Sequence, residues 1–328
     1  LLFVGLLPIQ GYTEIQIEER AVLAAEHSLY QGDLSLAVKL VQRHHVSVDT
    51  NSMPLQKLQI LVWIEQEATD KAMERLDYLL KKHKDNADLH YFAAVSWETL
   101  TQQMSIFSRL GALTKTMKLY IRAGELAPNN AKYVRKQAMA YGQGKALGGD
   151  AEKQRPLLVK IQALDPINGY IAAMDLAQNE RKLDYGVKLA QQAVSEHPSS
   201  FLLTERAAQM HWTNDDLSSA QALFLQACQL PTPDGEDRLI WIYACYSVVY
   251  VTQKLEENFD KGLLAMQRLL SVNQLATKKN DEARLYLAEM AMAAQQAELA
   301  KQTYAYLANH ALDKKIKRTA AKRRKRLP

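Results

Sequence analysis

Glu205-Arg206-Ala207-Ala208-Gln209-Met210-His211-Trp212-Thr213-Asn214-Asp215-Asp216-Leu217-Ser218-Ser219-Ala220-Gln221-Ala222-Leu223-Phe224-Leu225-Gln226-Ala227 reads as two helices around a polar turn. Ala207 and Ala208 on the first helix, with Ala220 and Ala227 on the second, let the two backbones approach closely. Larger residues such as Phe224 fill the flanks. Asn214-Asp215-Asp216 breaks the apolar pattern and supplies an N-cap for the second helix. A single pair of this kind cannot bury its apolar face without neighbours, so the pattern defines a fold only if it recurs.

It does recur. A small or apolar residue marks the middle of a helix at Ala25, Ile60, Ala94, Ala138, Met174, Ala208, Ala244 and Ala288, with gaps of 35, 34, 44, 36, 34, 36 and 44 residues. Most gaps are close to one period, and the two long ones read as a period plus an insertion. The first unit places Ala24 and Ala25 against Ala37 and Val41, with Glu18–Gln31 as its first helix and Gly32-Asp33 as its turn. Trp63, Ala93, Trp97, Tyr120, Ile161, Gly186, Ala190, Ala193, Ala300, Tyr304 and Leu307 continue the seam. Pro128, Pro166, Pro198 and Pro231 punctuate the helical runs without interrupting them. The rhythm breaks at extra residues around Met104–Arg109, at an expanded turn Gly142–Asp150, and in an aromatic unit with Trp241, Tyr243, Tyr246 and Tyr250.

These seams, with the unit ends Ala127-Pro128-Asn129-Asn130 and Leu164-Asp165-Pro166, resemble tetratricopeptide repeats, a family of helix-turn-helix units with a period of about 34 residues. The resemblance covers about residues 18–312. It implies an all-α, right-handed α-solenoid of about eight units, closed by a basic C-terminal capping helix or tail. The aromatic residue that usually opens the first helix of a unit is mostly absent.

Composition agrees with helix. The chain has 328 residues, 48% of them apolar and 23% charged, with only 13 glycines. The charge is unevenly placed. Nine cations between Lys314 and Arg326 against Asp313 give the end of the chain +8, which leaves the rest at −3 out of a total of +5. The high overall isoelectric point is therefore no sign of a nucleic-acid surface over the whole chain.

Leu1–Gly11 is apolar for most of its length and too short to span a bilayer. It reads as the remnant of a secretory signal peptide within residues 1–14, ahead of a solenoid at 15–312 and a basic segment at 313–328. It further resembles the leader of tetratricopeptide proteins exported to the Gram-negative envelope, which points to a periplasmic location; a cytoplasmic location is the alternative. Cys228 and Cys245 fall on consecutive helices. Counted from a turn near Asp234 they are offset by about 7 Å along the helix axes, which favours free buried thiols over a bridge.

Chemistry is sparse. Gly142-Gln143-Gly144-Lys145-Ala146-Leu147-Gly148-Gly149 matches neither the P-loop nor the dinucleotide spacing, and no strand precedes it. A nucleotide-using enzyme with its site in this loop is the weakest of three readings. His44 and His45 point about 100° apart on a helix, a poor arrangement for one metal. No metal, cofactor or catalytic constellation is expected.

The resemblance implies a groove along the concave, first-helix face. The positions that map to it are Tyr91, Val95 and Glu98; Lys132, Arg135 and Met139; Ile171, Asp175 and Gln178; Glu205, Gln209 and Trp212; with Trp241 and Tyr250 joining from the irregular unit. Aromatic rings mixed with both charge signs suit an extended peptide or a protein partner. The carboxylate clamp of chaperone-binding units is not expected, because its Asn and second set of cations are missing. The basic segment, with Lys322, Arg323, Arg324, Lys325 and Arg326, admits three readings: a cap on the last unit, weak contact with anionic lipid, or attachment to nucleic acid. Export disfavours the last. The expectation is a non-catalytic interaction scaffold or assembly adaptor. Its alternative is a cytoplasmic recruitment module whose basic end touches nucleic acid or membrane.

Overall fold

Two kinds of junction alternate along the chain, and together they make it a stack of helix pairs. The structure, a computed structural model, describes residues 22–25, 28–29, 34–43, 52–233, 237–272 and 278–327. The first-unit turn at Gly32-Asp33, His44-His45 and the leading segment 1–14 lie outside them. Among the described residues the helices are α1 (Leu34–Arg43), α2 (Met53–Glu65), α3 (Thr69–Lys82), α4 (Ala87–Gln103), α5 (Ile106–Leu126), α6 (Ala131–Tyr141), α7 (Ala151–Leu164) and α8 (Pro166–Asn179). They continue as α9 (Leu183–Glu196), α10 (Phe201–Thr213), α11 (Leu217–Gln229), α12 (Asp237–Leu255), α13 (Phe259–Val272), α14 (Lys278–Ala293), α15 (Ala297–His310) and α16 (Lys314–Arg324). No strand occurs among the described residues. The fold is an all-α solenoid.

The junction inside a pair is tight. Glu67, Arg181, Asp215 and Gln295 each take a left-handed backbone, with φ of 58°, 58°, 62° and 60°. The next residue then donates its N–H across the helix end, as in Lys182 N to Ala177 O at 2.8 Å, Asp216 N to His211 O at 2.9 Å and Gln296 N to Ala291 O at 2.8 Å. This is the Schellman closure, formed here without the usual glycine. The junction between pairs is extended instead. Asn86, Asn130, Asp165 and Ser200 cap the following helix by accepting from Leu89, Tyr133, Ile167 and Leu203 backbone N–H groups. Pro166 occupies the first turn of α8, where its missing N–H costs nothing.

The contacts divide the chain into two units, Leu1–Leu76 and Asp77–Pro328. In the first, Ala25, Ala37, Val41, Leu58 and Val62 form one cluster, and α1 packs on α2. Ala25 is fully buried there, whereas Ala24 faces solvent, so only one of the two expected alanines lies in the seam.

In the second unit each helix from α4 to α16 packs against the next. First helices of successive pairs also touch: α6 on α8, α8 on α10, α10 on α12 and α12 on α14. Ala94, Ala138, Ala207, Ala208, Ala244, Ala288, Ala220, Ala227 and Ala300 are all essentially without solvent exposure. In the α8–α9 pair Ala172 is buried and its neighbour Ala173 is half-buried. Gly186 belongs to the same close approach: a Cβ there would lie 3.3 Å from Ala177 Cβ and would displace the Met210 methyl.

The cysteine expectation is overturned. Cys228 and Cys245 form a disulfide, with Cα atoms 5.0 Å apart. α11 ends at Gln229 and α12 starts at Asp237, so the two helices stand farther apart in sequence than a tight turn near Asp234 assumes. Leu230 ends α11 with an extended backbone, so that helix does not run on to the turn assumed near Asp234. Trp241 Nε1 donates to the Cys228 carbonyl at 3.0 Å.

The breaks in rhythm become structure. The residues after Gln103 lengthen α5 to 21 residues and leave Ile106, Phe107 and Leu110 exposed at its start. The Gly142–Asp150 turn holds a short 3₁₀ turn at Lys145–Leu147, with Gly148 left-handed at φ 88°. A Cβ on Gly149 would meet the Gln143 carbonyl oxygen at 1.5 Å, and Asp150 caps α7. The glycines serve the backbone.

Overfilling the seam with Ala208→Leu should lower stability by about 1–3 kcal/mol in urea unfolding. Arg181→Gly or Gln295→Gly, which relieves a left-handed residue, should raise it by roughly 0.5–1 kcal/mol.

Candidate functional site

A groove of about 580 Å³ crosses the first helices of five successive pairs in the second unit, α4, α6, α8, α10 and α12. The spacing that puts the seam alanines inward puts the next helix face here. Eleven residues expected at a binding face line it: Tyr91, Val95, Glu98, Lys132, Arg135, Met139, Ile171, Asp175, Gln178, Glu205 and Gln209. Lys136, Asn168, Arg206 and Asp237 join them without having been singled out in the sequence. Lys136 falls four residues after Lys132, one helical turn on, so helical spacing places it on the same face as Lys132.

Trp241 is the exception. It is fully buried against the core of α11–α14 and cannot present a ring to a partner. Trp212 and Tyr250 line a neighbouring aromatic groove of about 450 Å³ with Tyr243, Tyr246 and Tyr286. There Trp212 stacks on Tyr250 with ring centres 5.1 Å apart and planes at 24°, and Lys254 lies over both rings. Tyr243 is 64% exposed.

Polar contacts link the walls of the first groove from helix to helix. Tyr120 on α5 donates to Glu98 Oε2 at 2.6 Å, and Lys136 approaches the same oxygen at 3.8 Å. Lys136 also lies 4.8 Å over the Tyr120 ring, and Lys132 lies 5.1 Å over that of Tyr91. Tyr91 stacks on Tyr133 at 4.7 Å. Arg135 Nε donates to Asn168 Oδ1 at 2.9 Å, which joins α6 to α8. Arg206 pairs with Asp175 at 2.8 Å and donates to Gln178 at 2.6 Å, which joins α10 to α8.

Burial sets the titration of this lining. Desolvation pulls the Lys132 and Lys136 ammonium groups below the usual lysine value, against the opposing pull of Asp237 and Glu98 respectively. Desolvation likewise raises the Tyr91 and Tyr120 phenols. Glu205 is buried beside Arg206 and accepts from Gln209, and burial still pushes its carboxyl up to about 7. The groove therefore holds desolvated groups of both signs. Among the described residues no group of three or more His, Cys, Asp or Glu side chains could hold a metal ion.

Comparison with known proteins adds a likeness of fold. No family model matches the chain, and no curated protein matches it. Similar solved structures are tetratricopeptide-repeat proteins. One is from Parabacteroides merdae, at 14% identity and a TM-score of 0.46 over 84% of this chain and 99% of that one. Another is yeast Tom70, at 14% identity and a TM-score of 0.42 over 95% and 82%. A third is the APC/C hetero-tetramer of Cut9 and Hcn1, at 11% identity and a TM-score of 0.42. The chain spans 94% of itself and 55% of the chain matched there. The assignment to an all-α solenoid rests on the helix pairs described above.

The shifted Glu205 carboxyl has a stability consequence. It titrates near 4.5 when unfolded and about 7 when folded, so between these values the folded protein holds a proton that the unfolded chain has lost. Stability should be fullest at the acid end of that window and fall as pH rises through 7. Glu205→Gln should remove this fall. Urea unfolding from about pH 5 to about pH 8 should show the variant gaining on the native protein by about 1–3 kcal/mol.

Proposed function

We propose that the chain is a non-catalytic binding scaffold that holds an extended peptide or a protein partner along the first-helix groove of its second unit. The observation that carries this reading is the continuity of the groove over five helices, with desolvated charges of both signs and aromatic rings. A surface of this length matches the repeat of an extended chain better than the outline of one small metabolite. Mixed charge on a partly dry face gives directional recognition, because a misplaced partner leaves a charge uncompensated.

The same proposal places the protein in an exported, oxidising compartment. Two features support it: the apolar leading residues Leu1–Gly11 and the Cys228–Cys245 disulfide, since such bonds persist mainly outside the reducing cytosol. Among the described residues no helix is long and apolar enough to cross a membrane.

The experiment is site-specific photo-crosslinking in cells, with a benzophenone amino acid at Val95, Ile171 or, as control, Lys188 on the exposed side of α9. The same partner should be captured from Val95 and Ile171 and missed from Lys188. Capture from Lys188 alone would place the binding face elsewhere. Thiol alkylation without reductant should leave Cys228 and Cys245 unmodified in the native compartment.

A further inference from the structure

α16 carries the densest charge in the molecule, and it is a docked helix, not a loose tail. Asp313 caps it by accepting from Lys315 and Ile316 N–H groups at 2.7 and 3.0 Å. Asp281 Oδ2 holds its entry by accepting from Leu312 and Asp313 N–H groups at 2.6 and 3.1 Å. Ala320 is buried, and Ile316 and Leu327 pack on the core beside it. Arg323 pairs with Glu289 and donates to the Tyr304 hydroxyl at 3.2 Å.

This docking fixes where the other cations point. At 100° per residue, Lys314, Arg318 and Lys325 fall within about 20° of the direction opposite Ile316. Lys315 and Lys322 share one flank of that direction. All five are exposed, and none forms an ion pair with another described residue. They stand three or four positions apart, where like charges repel, and Asp313 is the only acid between residues 313 and 328. The helix C-terminus favours the cations of the last turn, but Lys314, Lys315 and Arg318 lie toward the other end and receive no such help. An anionic plane laid against this face relieves the repulsion.

We propose that α16 is an electrostatic docking face for a bilayer containing anionic phospholipid. The five cations present a one-sided surface to headgroup phosphates. Residues 314–326 contain no aromatic side chain on which a base could stack. The export proposed above, on which this choice of occupant rests, favours a lipid surface over intracellular nucleic acid. Docking through α16 leaves the groove on α4–α12 free, so it does not depend on what the groove binds.

The test is co-sedimentation of the full chain with vesicles of phosphatidylcholine, alone or mixed with phosphatidylglycerol. Binding should require phosphatidylglycerol and fall as salt is added. Lys314→Gln, Arg318→Gln, Lys322→Gln and Lys325→Gln together should weaken it at least about tenfold without lowering the melting temperature. Removing the same charge elsewhere, with Lys71→Gln, Lys118→Gln, Arg155→Gln and Lys188→Gln, should leave most of it. Three results would overturn the proposal: no binding to phosphatidylglycerol vesicles, equal loss in both variants, or tighter binding to duplex DNA than to those vesicles at the same salt.

Discussion

The close approach of helix backbones at buried alanines is the constraint on which the second unit depends. Ala94, Ala138, Ala208, Ala244 and Ala288 admit a neighbouring helix where a longer side chain would hold it away. Side-chain contacts between first helices of successive pairs follow from that distance. Arg135 reaches Asn168, and Arg206 reaches Asp175 and Gln178, only because α6, α8 and α10 lie side by side. The seam makes a groove, and the polar contacts line it.

The lining is costly to build. Lysines lose hydration when they are packed among aromatic rings, and a carboxyl is pushed toward neutrality. Such groups contribute little net stability when buried, because desolvation offsets much of the Coulombic gain. In the proposed function they serve recognition, since a partner that supplies matching charges would complete interactions already half-organised. The aromatic groove beside it, with Trp212, Tyr250 and Tyr243, adds stacking area at low entropic cost.

Much of this was legible in the sequence, for a physical reason in each case. Small residues at a helical seam cannot be replaced without changing the spacing, so Ala207-Ala208 and Ala220 announce the pair directly. Asn130 and Asp165 likewise mark helix starts through the hydrogen bonds they accept. Trp241 was misplaced because position within a long, apolar helix does not reveal which of its faces turns inward; α12 is 19 residues long and buries residues along its whole length. The disulfide was missed because the offset was counted from a tight turn near Asp234, whereas α11 already ends at Gln229 and α12 begins only at Asp237. Lys136 and Arg206 each follow directly after a residue assigned to the face, Arg135 and Glu205, and the groove is broad enough to take in both neighbours where a narrow stripe takes one.

The central claim is that adjacent first helices meet side chain to side chain and so preform the groove. A double-mutant cycle on Asp175→Asn and Arg206→Met, read by urea unfolding, tests it most directly. The pair bridges α8 and α10 at 2.8 Å, with side chains only 23% and 11% exposed. The account predicts a coupling energy of about 0.5–3 kcal/mol between the two sites. Strictly additive effects, with no coupling, would contradict it.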